Sequence, residues 1–550
     1  MKNFYFLLLM MLLLANPSFS QQAEWEWVKQ IGGVHDQTSM AIELDTEENV
    51  FITGSFWNEV IFENDTLVSQ GKYDAYFAKY DNNGNLQWVK QIGGMKNDHG
   101  YSITFDNSGN IYLTGCVGGN GLAYFDNTSV YVNGNTDIFL AKYDSMGNLL
   151  WVETAGGNHY TGNSSSKDCG RSVSTDSENN VYITGSFIDT AFFNNDTLYS
   201  YGGVDIFVAK YTENGELIWV DNYGSVEADN GNVIVIDNND DVYIEGWFED
   251  TISIADTILV LQDDMDNFIL KLNSDGEKMW IHQMGGSSAY SYKTSLVLDA
   301  ENNLYVTDYF NGTINLQDTL LIANENMDFY LSKYDPNGSL LWVKQYFNVF
   351  NIQSHSLCID SNNNLFITGS YRGEVSYQNN VLLSPYGYDD IFVSKFDENG
   401  DFIWIISAGG TMSERGKDII CYNNNVYISG SFVDVVTFGD ITIISYDNVD
   451  YLRDAYFAKI KDHTVQVNKV DNDLILSVMP NPSNGHFSLK AKGVNKQGYF
   501  EISNIRGQIL LKRELNDIVE RVNISNYPSG VYFISIRTEN FTKTEKIIKR

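Results

Sequence analysis

A stretch reading roughly Asn-Val-Tyr-Ile-Thr-Gly-Ser-Phe returns seven times in this chain, its copies beginning at Val50, Ile111, Val181, Val242, Leu304, Leu365 and Val426. Each copy alternates apolar and polar side chains, the pattern of a strand with one buried face. A turn cluster such as Asp45-Thr-Glu-Glu-Asn49 or Asp360-Ser-Asn-Asn-Asn364 precedes it. Residues of this kind tolerate left-handed backbone and satisfy their own turn amides. Three further landmarks keep the same period of near 62 residues. One strand ends in Trp-Val at Trp27, Trp88, Trp151, Trp219, Trp280, Trp342 and Trp404. Another starts at Asp74, Asp137, Asp205, Asp266, Asp328, Asp390 and Asp454 and reads Asp-x-Phe-x-Ala-Lys-Tyr. A third, short strand ends in Asp, as in Ser102-Ile-Thr-Phe-Asp106, although the last copy, Asp418-Ile-Ile-Cys-Tyr422, lacks that final residue. Asn-Gly turns such as Asn83-Gly84 and Asn337-Gly338 join the Lys-Tyr strand to the Trp strand. Each unit is therefore expected to be a four-stranded antiparallel meander. An extra hairpin such as 60–69 lies between its second and third strands.

Such a sheet cannot bury both faces alone, so the units must stack, as an open solenoid or a closed propeller. The ends of the array choose between them. It opens with a lone Trp strand, Glu24 to Ile31, and finishes at Ile460 with three strands and no Trp strand after them. If the opening strand completes the last unit, no sheet edge is left exposed. The expected fold is all-β: a seven-bladed β-propeller over residues 21–461, closed by its N-terminal strand.

The residues 180–187 (Asn-Val-Tyr-Ile-Thr-Gly-Ser-Phe), 205–211 (Asp-Ile-Phe-Val-Ala-Lys-Tyr) and 148–152 (Asn-Leu-Leu-Trp-Val) carry a resemblance to the bacterial β-propeller repeats called SBBP repeats. The resemblance covers roughly residues 25–461. It implies a propeller in an extracytoplasmic setting and no single activity.

Residues 462–473 read as a polar linker, and residues 474–550 as a separate module of about seven short strands, expected to form a small Ig-like β-sandwich. Its landmarks are Pro480, Asn481, Pro482 and Gly485, then Gly507, then Gly530 and Tyr532, and the basic end Lys549-Arg550. This module resembles the C-terminal sorting domain of the type IX secretion system of Bacteroidota. The resemblance implies that the type IX machinery is a partner and that the protein is secreted or attached to the outer surface of the outer membrane. At the other end, residues 1–20 read as a signal peptide for Sec export to the periplasm: Lys2, an apolar run from Phe4 to Ala15, Pro17, then Ser18 and Ser20. That run is too short to cross a bilayer, and no later segment is long and apolar enough to make a membrane span of the mature chain.

The formal charge is −36, and it is unevenly placed. From Asp471 onward there are 12 basic and 8 acidic residues, whereas everything before carries 23 basic against 63 acidic, a net of −40. This balance argues against nucleic acid as a partner, because phosphate binding needs clustered Lys and Arg. The four cysteines show no CxxC spacing. Cys358 and Cys421 are expected to be buried thiols, and a Cys116–Cys169 bridge is left open.

Residues present in all seven units serve the common sheet, so a site should lie where the units differ. His35, His99, His159 and His355 fall in or beside the connections that leave the Trp strands, the place for a shared metal. Their unequal spacing, with no carboxylate at a fixed offset, favours solvated loop histidines. The connection after Trp151 is long, 25 positions to Asp176 against 18 from Trp88 to Asp106, and carries His159 and Tyr160. Trp57, Tyr160, Tyr290 and Tyr292 offer an aromatic platform for sugar rings. Acidic turns such as 237–241 offer oxygens to calcium without EF-hand spacing. No catalytic motif stands out, and no cofactor is expected. The expected function is a non-catalytic binding module for a glycan or protein. The alternative is an extracellular polysaccharide hydrolase or lyase with its site at the channel mouth.

Overall fold

A computed structural model describes residues 22–158, 168–286, 294–324, 327–346, 351–377, 380–446, 452–464, 475–479, 483–492, 499–504, 508–514, 519–537 and 542–550. The signal peptide lies outside them. The chain divides into two compact units between His463 and Thr464, and the described residues are strands and connections with no helix.

In the first unit each repeat forms an antiparallel four-stranded sheet. The first strands are Gln37–Leu44, His99–Phe105, Cys169–Thr175, Asp229–Ile236, Ser295–Leu298, Asn351–Ile359 and Arg415–Tyr422. Each pairs with the repeated Val-Tyr-Ile-Thr-Gly strand that follows. The turn between them is held by its Asp. The Asp106 carboxylate accepts the amides of Ser108 and Asn110 and the Asn110 side chain, and Lys142 of the third strand closes on it at 3.3 Å. Asp176 with Lys210, Asp299 with Lys333 and Asp45 with Lys79 repeat the arrangement. The residue before the closing Asn takes positive φ, as at Glu48, Asn179, Asn302 and Asn363, which is why polar turn formers occupy these loops.

The fourth strand sets the register between neighbours. Trp88 stands opposite Lys79, Trp151 opposite Lys142, Trp219 opposite Lys210 and Trp404 opposite Lys395. The indole then reaches the next repeat: Trp151 Nε1 donates to the Glu213 carbonyl at 3.1 Å and Trp280 Nε1 to the Pro336 carbonyl at 3.1 Å. A Cβ on Gly147 would sit 2.8 Å from the Trp88 ring, so the glycine gives the indole its seat as well as its positive φ of 81°.

The strand Ala23–Gly33 pairs antiparallel with Asp454–Asp462, from Ala23 opposite Asp462 to Ile31 opposite Ala455. Trp27 stands opposite Lys459, the register of every other Trp strand. Trp27, Tyr427 and Phe457 pack in one cluster with Ile42, Val50 and Ile52 of the first repeat. The Ile42 amide also donates to Asp418 of the last repeat at 2.9 Å.

The extra hairpin has a partner that its sequence does not announce. It adds to the fourth strand of the preceding repeat: Ile92 opposite Phe125, Met284 opposite Leu316, Ala408 opposite Phe438, and Gly32 opposite Ile61. The cysteines differ from the open expectation of a bridge. No disulfide joins Cys116 and Cys169, which are both buried; Cys358 is buried as expected, whereas Cys421 is half-buried, and neither is in a disulfide. Cys116 stands opposite Ile138 and His99 in its own sheet, and Cys169 opposite Ser186 in the next.

The second unit holds a three-stranded sheet, Ile475–Met479, His486–Lys492 and Val519–Asn523. Its four-stranded sheet runs Ile509–Glu514, Tyr499–Asn504, Gly530–Arg537, Thr542–Lys549. Phe487, Leu489, Phe500, Ile502, Val522 and Ile534 form its core.

Candidate functional site

The seven first strands of the larger unit all contribute to one cavity of about 600 Å³, through residues such as Ile42, Ile103, Ser172, Val233, Val297, Leu357 and Ile419. A smaller cavity of about 280 Å³ opens beside it where the first and last repeats meet. Asp36, Tyr73, His99, Arg415, Lys417 and Arg453 line it.

Asp36 organises this smaller cavity. Its carboxylate accepts the Arg453 amide at 2.9 Å and the Tyr73 hydroxyl at 3.2 Å. The Trp57 amide donates to its carbonyl, and the Gln37 amide donates to the Arg453 carbonyl. Burial, reinforced by the Asp36 charge, pushes the Tyr73 hydroxyl up to about 12, so it remains a donor at neutral pH. An aromatic row continues from there. His35 lies 4.9 Å from Trp57, Trp57 5.8 Å from Tyr73, Tyr73 5.6 Å from His99 and His99 5.7 Å from Tyr101, ring centroid to centroid. The Arg171 guanidinium caps the row, 4.5 Å over the Tyr101 ring. Trp57, held between two other rings, is 38% exposed.

The sequence-predicted residues divide accordingly. Trp57, His35 and His99 are brought together as members of this row. The two histidines are separated by Trp57 and Tyr73, so they do not form a ligand set. His355 stands elsewhere, buried, with Nδ1 2.6 Å from the Gly416 carbonyl. Among the described residues no group of three or more His, Cys, Asp or Glu side chains is placed to hold a metal. In the acidic turn 237–241 the Lys271 ammonium lies between two carboxylates, 3.1 Å from Asp237 and 2.9 Å from Asp241, where a cation would have to sit. His159, Tyr160, Tyr290 and Tyr292 lie outside the described residues.

Reading by residue type missed Tyr73, Arg415, Lys417 and Arg453. One signal was available. Residues 1–461 contain only four arginines, Arg171, Arg372, Arg415 and Arg453. Arg171 lines the larger cavity, and Arg415 and Arg453 line the smaller. Arg372 pairs with Asp389 at 2.8 Å, which also accepts the Ser413 hydroxyl, while the Ser413 carbonyl accepts Arg453.

In the second unit the predicted sorting landmarks converge where they are described. The Ser483 amide donates to the Ile548 carbonyl, and the Arg550 amide donates back to Ser483. Gly485, at φ 100°, lies where a Cβ would come within 2.9 Å of Lys549 Cε. The Lys549 ammonium donates to the carbonyls of Ser525 and Tyr527. Tyr532 is buried and donates to the Pro528 carbonyl at 2.6 Å. Space does not explain Gly530, since a Cβ there would meet nothing within 4 Å. Pro480, Asn481, Pro482 and Gly507 lie outside the described residues.

Comparison with known proteins agrees with both units. Residues 477–550 match the family model of the secretion system C-terminal sorting domain, and residues 87–115 match that of the β-propeller repeat. The chain thus carries an SBBP β-propeller repeat and a type IX sorting domain, which is consistent with a Bacteroidota surface protein. It is 23% identical to an uncharacterized WD repeat-containing protein of Acanthamoeba polyphaga mimivirus, over 79% of this chain and 38% of that protein. The chain therefore spans well under half the length of this curated relative. Among solved structures it is similar to a member of the DUF4221 family from Bacteroides vulgatus, at 12% identity and a TM-score of 0.31, covering 66% of this chain and 92% of the other. It is also similar to PorZ, a surface component of the type IX secretion system of Porphyromonas gingivalis, at 9% identity and a TM-score of 0.15, covering 95% of this chain and all of the other. Scores of this size carry no argument about shape or role.

Proposed function

We propose that the protein is a secreted or surface-attached, non-catalytic binding module: a closed seven-bladed propeller of residues 21–461, a linker of residues 462–473, and an Ig-like sorting sandwich of residues 474–550. Residues 1–20 direct Sec export, and the sandwich engages the type IX machinery. Closure is supported by the N-terminal strand taking the common Trp-to-Lys register, and by seven first strands facing one cavity. The binding reading is carried by one observation, the exposed Trp57 held in an aromatic row beside a polar cavity at the edge of that channel. Aromatic faces flanked by a few polar groups suit sugar rings and protein side chains alike. A glycan array probed with the purified chain, run with a reducing-sugar assay, tests this reading. Binding without sugar release is expected. Release of reducing ends or unsaturated products would establish the hydrolase or lyase alternative instead.

A further inference from the structure

We infer that the cavity between the first and last repeats binds an anionic sugar, its carboxylate or sulfate group held by Arg415 and Arg453 and its ring laid along Trp57; this rests on the binding reading above. The argument begins with charge. Residues before Asp471 carry a net of −40, yet two of the four arginines of residues 1–461 line this one small cavity together with Lys417. Each lysine of the Asp-x-Phe-x-Ala-Lys strands in five repeats has a carboxylate partner within its own repeat. Arg415 differs: among the described residues its guanidinium makes no hydrogen bond and no ion pair. Arg453 uses one nitrogen on the Ser413 carbonyl, at 3.2 Å, and pairs with no carboxylate.

The two cations also oppose each other. Burial, and then the charge of Arg415, lower the Arg453 guanidinium from its ordinary value, against the opposing pull of the Asp36, Glu414 and Asp389 carboxylates, none of which forms an ion pair with it. A protein that places two guanidinium groups in mutual repulsion, partly shielded from water and without a full set of partners, has left donors for an anion. The one carboxylate lining the cavity, Asp36, is engaged by the Tyr73 hydroxyl and the Arg453 amide. A ligand carboxylate or sulfate would accept from both guanidinium groups and relieve their repulsion. The second observation is independent of charge. Trp57, with His35 on one side and Tyr73 on the other, presents a fixed ring that adjoins the cavity through Tyr73. An anion beside a flat apolar face fits an acidic monosaccharide unit better than a free inorganic anion, which has no use for the ring, or an extended acidic peptide, which needs several cationic subsites in line. The volume of about 280 Å³ holds one or two sugar rings.

The test uses the full chain in titration calorimetry against four polymers: polygalacturonate for a sugar carboxylate, dextran sulfate for a sugar sulfate, neutral dextran, and poly-L-glutamate. Saturable binding to polygalacturonate or dextran sulfate is expected, and the stronger of the two arms identifies the anion. Arg415→Ala should weaken it about tenfold or more, as expected for loss of a charge-assisted hydrogen bond. Its melting temperature should be unchanged or raised, because a repulsion is removed and no native bond is lost. Trp57→Ala, which leaves the cations in place, should weaken binding to the acidic polysaccharide. Equal binding of poly-L-glutamate and the acidic polysaccharides, or full affinity in Arg415→Ala, would overturn the inference. Tight binding to neutral glycans alone would overturn it while leaving the broader binding function standing. Failure to bind any polymer or any array glycan would overturn the inference and, with it, the glycan half of the binding reading.

Discussion

The repeated Asp of the third strand shows what one side chain does in every repeat. Asp205 is buried, accepts the Tyr201 amide through one oxygen and lies against Gly224, where a Cβ would stand 2.1 Å from its Cγ. Asp137 against Gly156, Asp266 against Gly285 and Asp390 against Gly409 repeat the fit. A second carboxyl often lies nearby, such as Asp168 beside Asp137 and Glu414 beside Asp390. Burial pushes Asp137 and Glu414 up to about 8, and Asp168, Asp205 and Asp229 up to about 7. An unfolded carboxyl titrates near about 4, so the native state holds more protons between there and about pH 8. The stability these groups give is complete below the unfolded value and is lost as pH rises through 7 to 8. The turn carboxylates Asp106 and Asp299 act oppositely. Burial raises them, but their Asn and Lys partners outweigh it and hold them low, so their contribution is lost only in stronger acid. The melting temperature should therefore fall by about 5 °C or more between about pH 5 and 8.5. Scanning calorimetry checks this, and Asp137→Asn with Asp205→Asn should flatten the fall. A curve that rises over that interval would refute the assignment. The sequence marked these aspartates as common to all repeats, and so as structural. It could not show their displaced titration, which depends on a glycine some 19 residues along the chain meeting the same carboxylate.

At the scale of the strand, most of the order was legible. The Val-Tyr-Ile-Thr-Gly strands begin within one residue of where the alternation begins, because the Asp-x-x-x-Asn turn before most of them has its own hydrogen-bonding logic. The hairpin's partner was not legible. Its pairing with the preceding repeat involves as few as two residue pairs, such as Ile92 with Phe125 and Gly93 with Tyr124, and leaves no periodic trace. The site was legible only in its aromatic half. Trp57 stands out as a large aromatic residue at a position where the repeats differ, whereas Arg415 and Arg453 are separated from it by some 360 to 400 positions and come near it only through the pairing of the larger unit's two ends. Two variants test that pairing. Deleting residues 21–33 should lower the melting temperature by roughly 10 °C or more, since Asp454–Asp462 would lose a neighbour along its whole length. Trp27→Ala should cost about 3 kcal/mol, close to the cost of Trp151→Ala, if the two indoles fill equivalent seats. An unchanged melting temperature in the deletion would count against the closed ring.

For the molecule as a whole, charge and address divide along the chain. The larger unit is acidic, whereas the sorting module carries net positive charge and its landmarks meet at Gly485, Ser483 and Lys549. Removing residues 474–550 should leave the remaining chain in the periplasm, read by fractionation and immunoblotting of cells against medium. Gly485→Ala should reduce export partially, because its Cβ would strike the Ser525 backbone at 2.7 Å and force a residue with φ 100° into strain. Normal appearance of the truncated protein outside the cell would show that this module does not carry the export signal.

The pairing of Ala23 with Asp462 also sets a timetable. On a ribosome or in a translocon the leading strand emerges first and waits for the latest-made part of the larger unit before it finds its neighbour. A product cut short before residue 454 leaves that strand a bare ladder of amides and carbonyls over Ala23–Ile31, ready for the wrong chain or for a chaperone. Quality control could therefore read the length of this protein from its beginning.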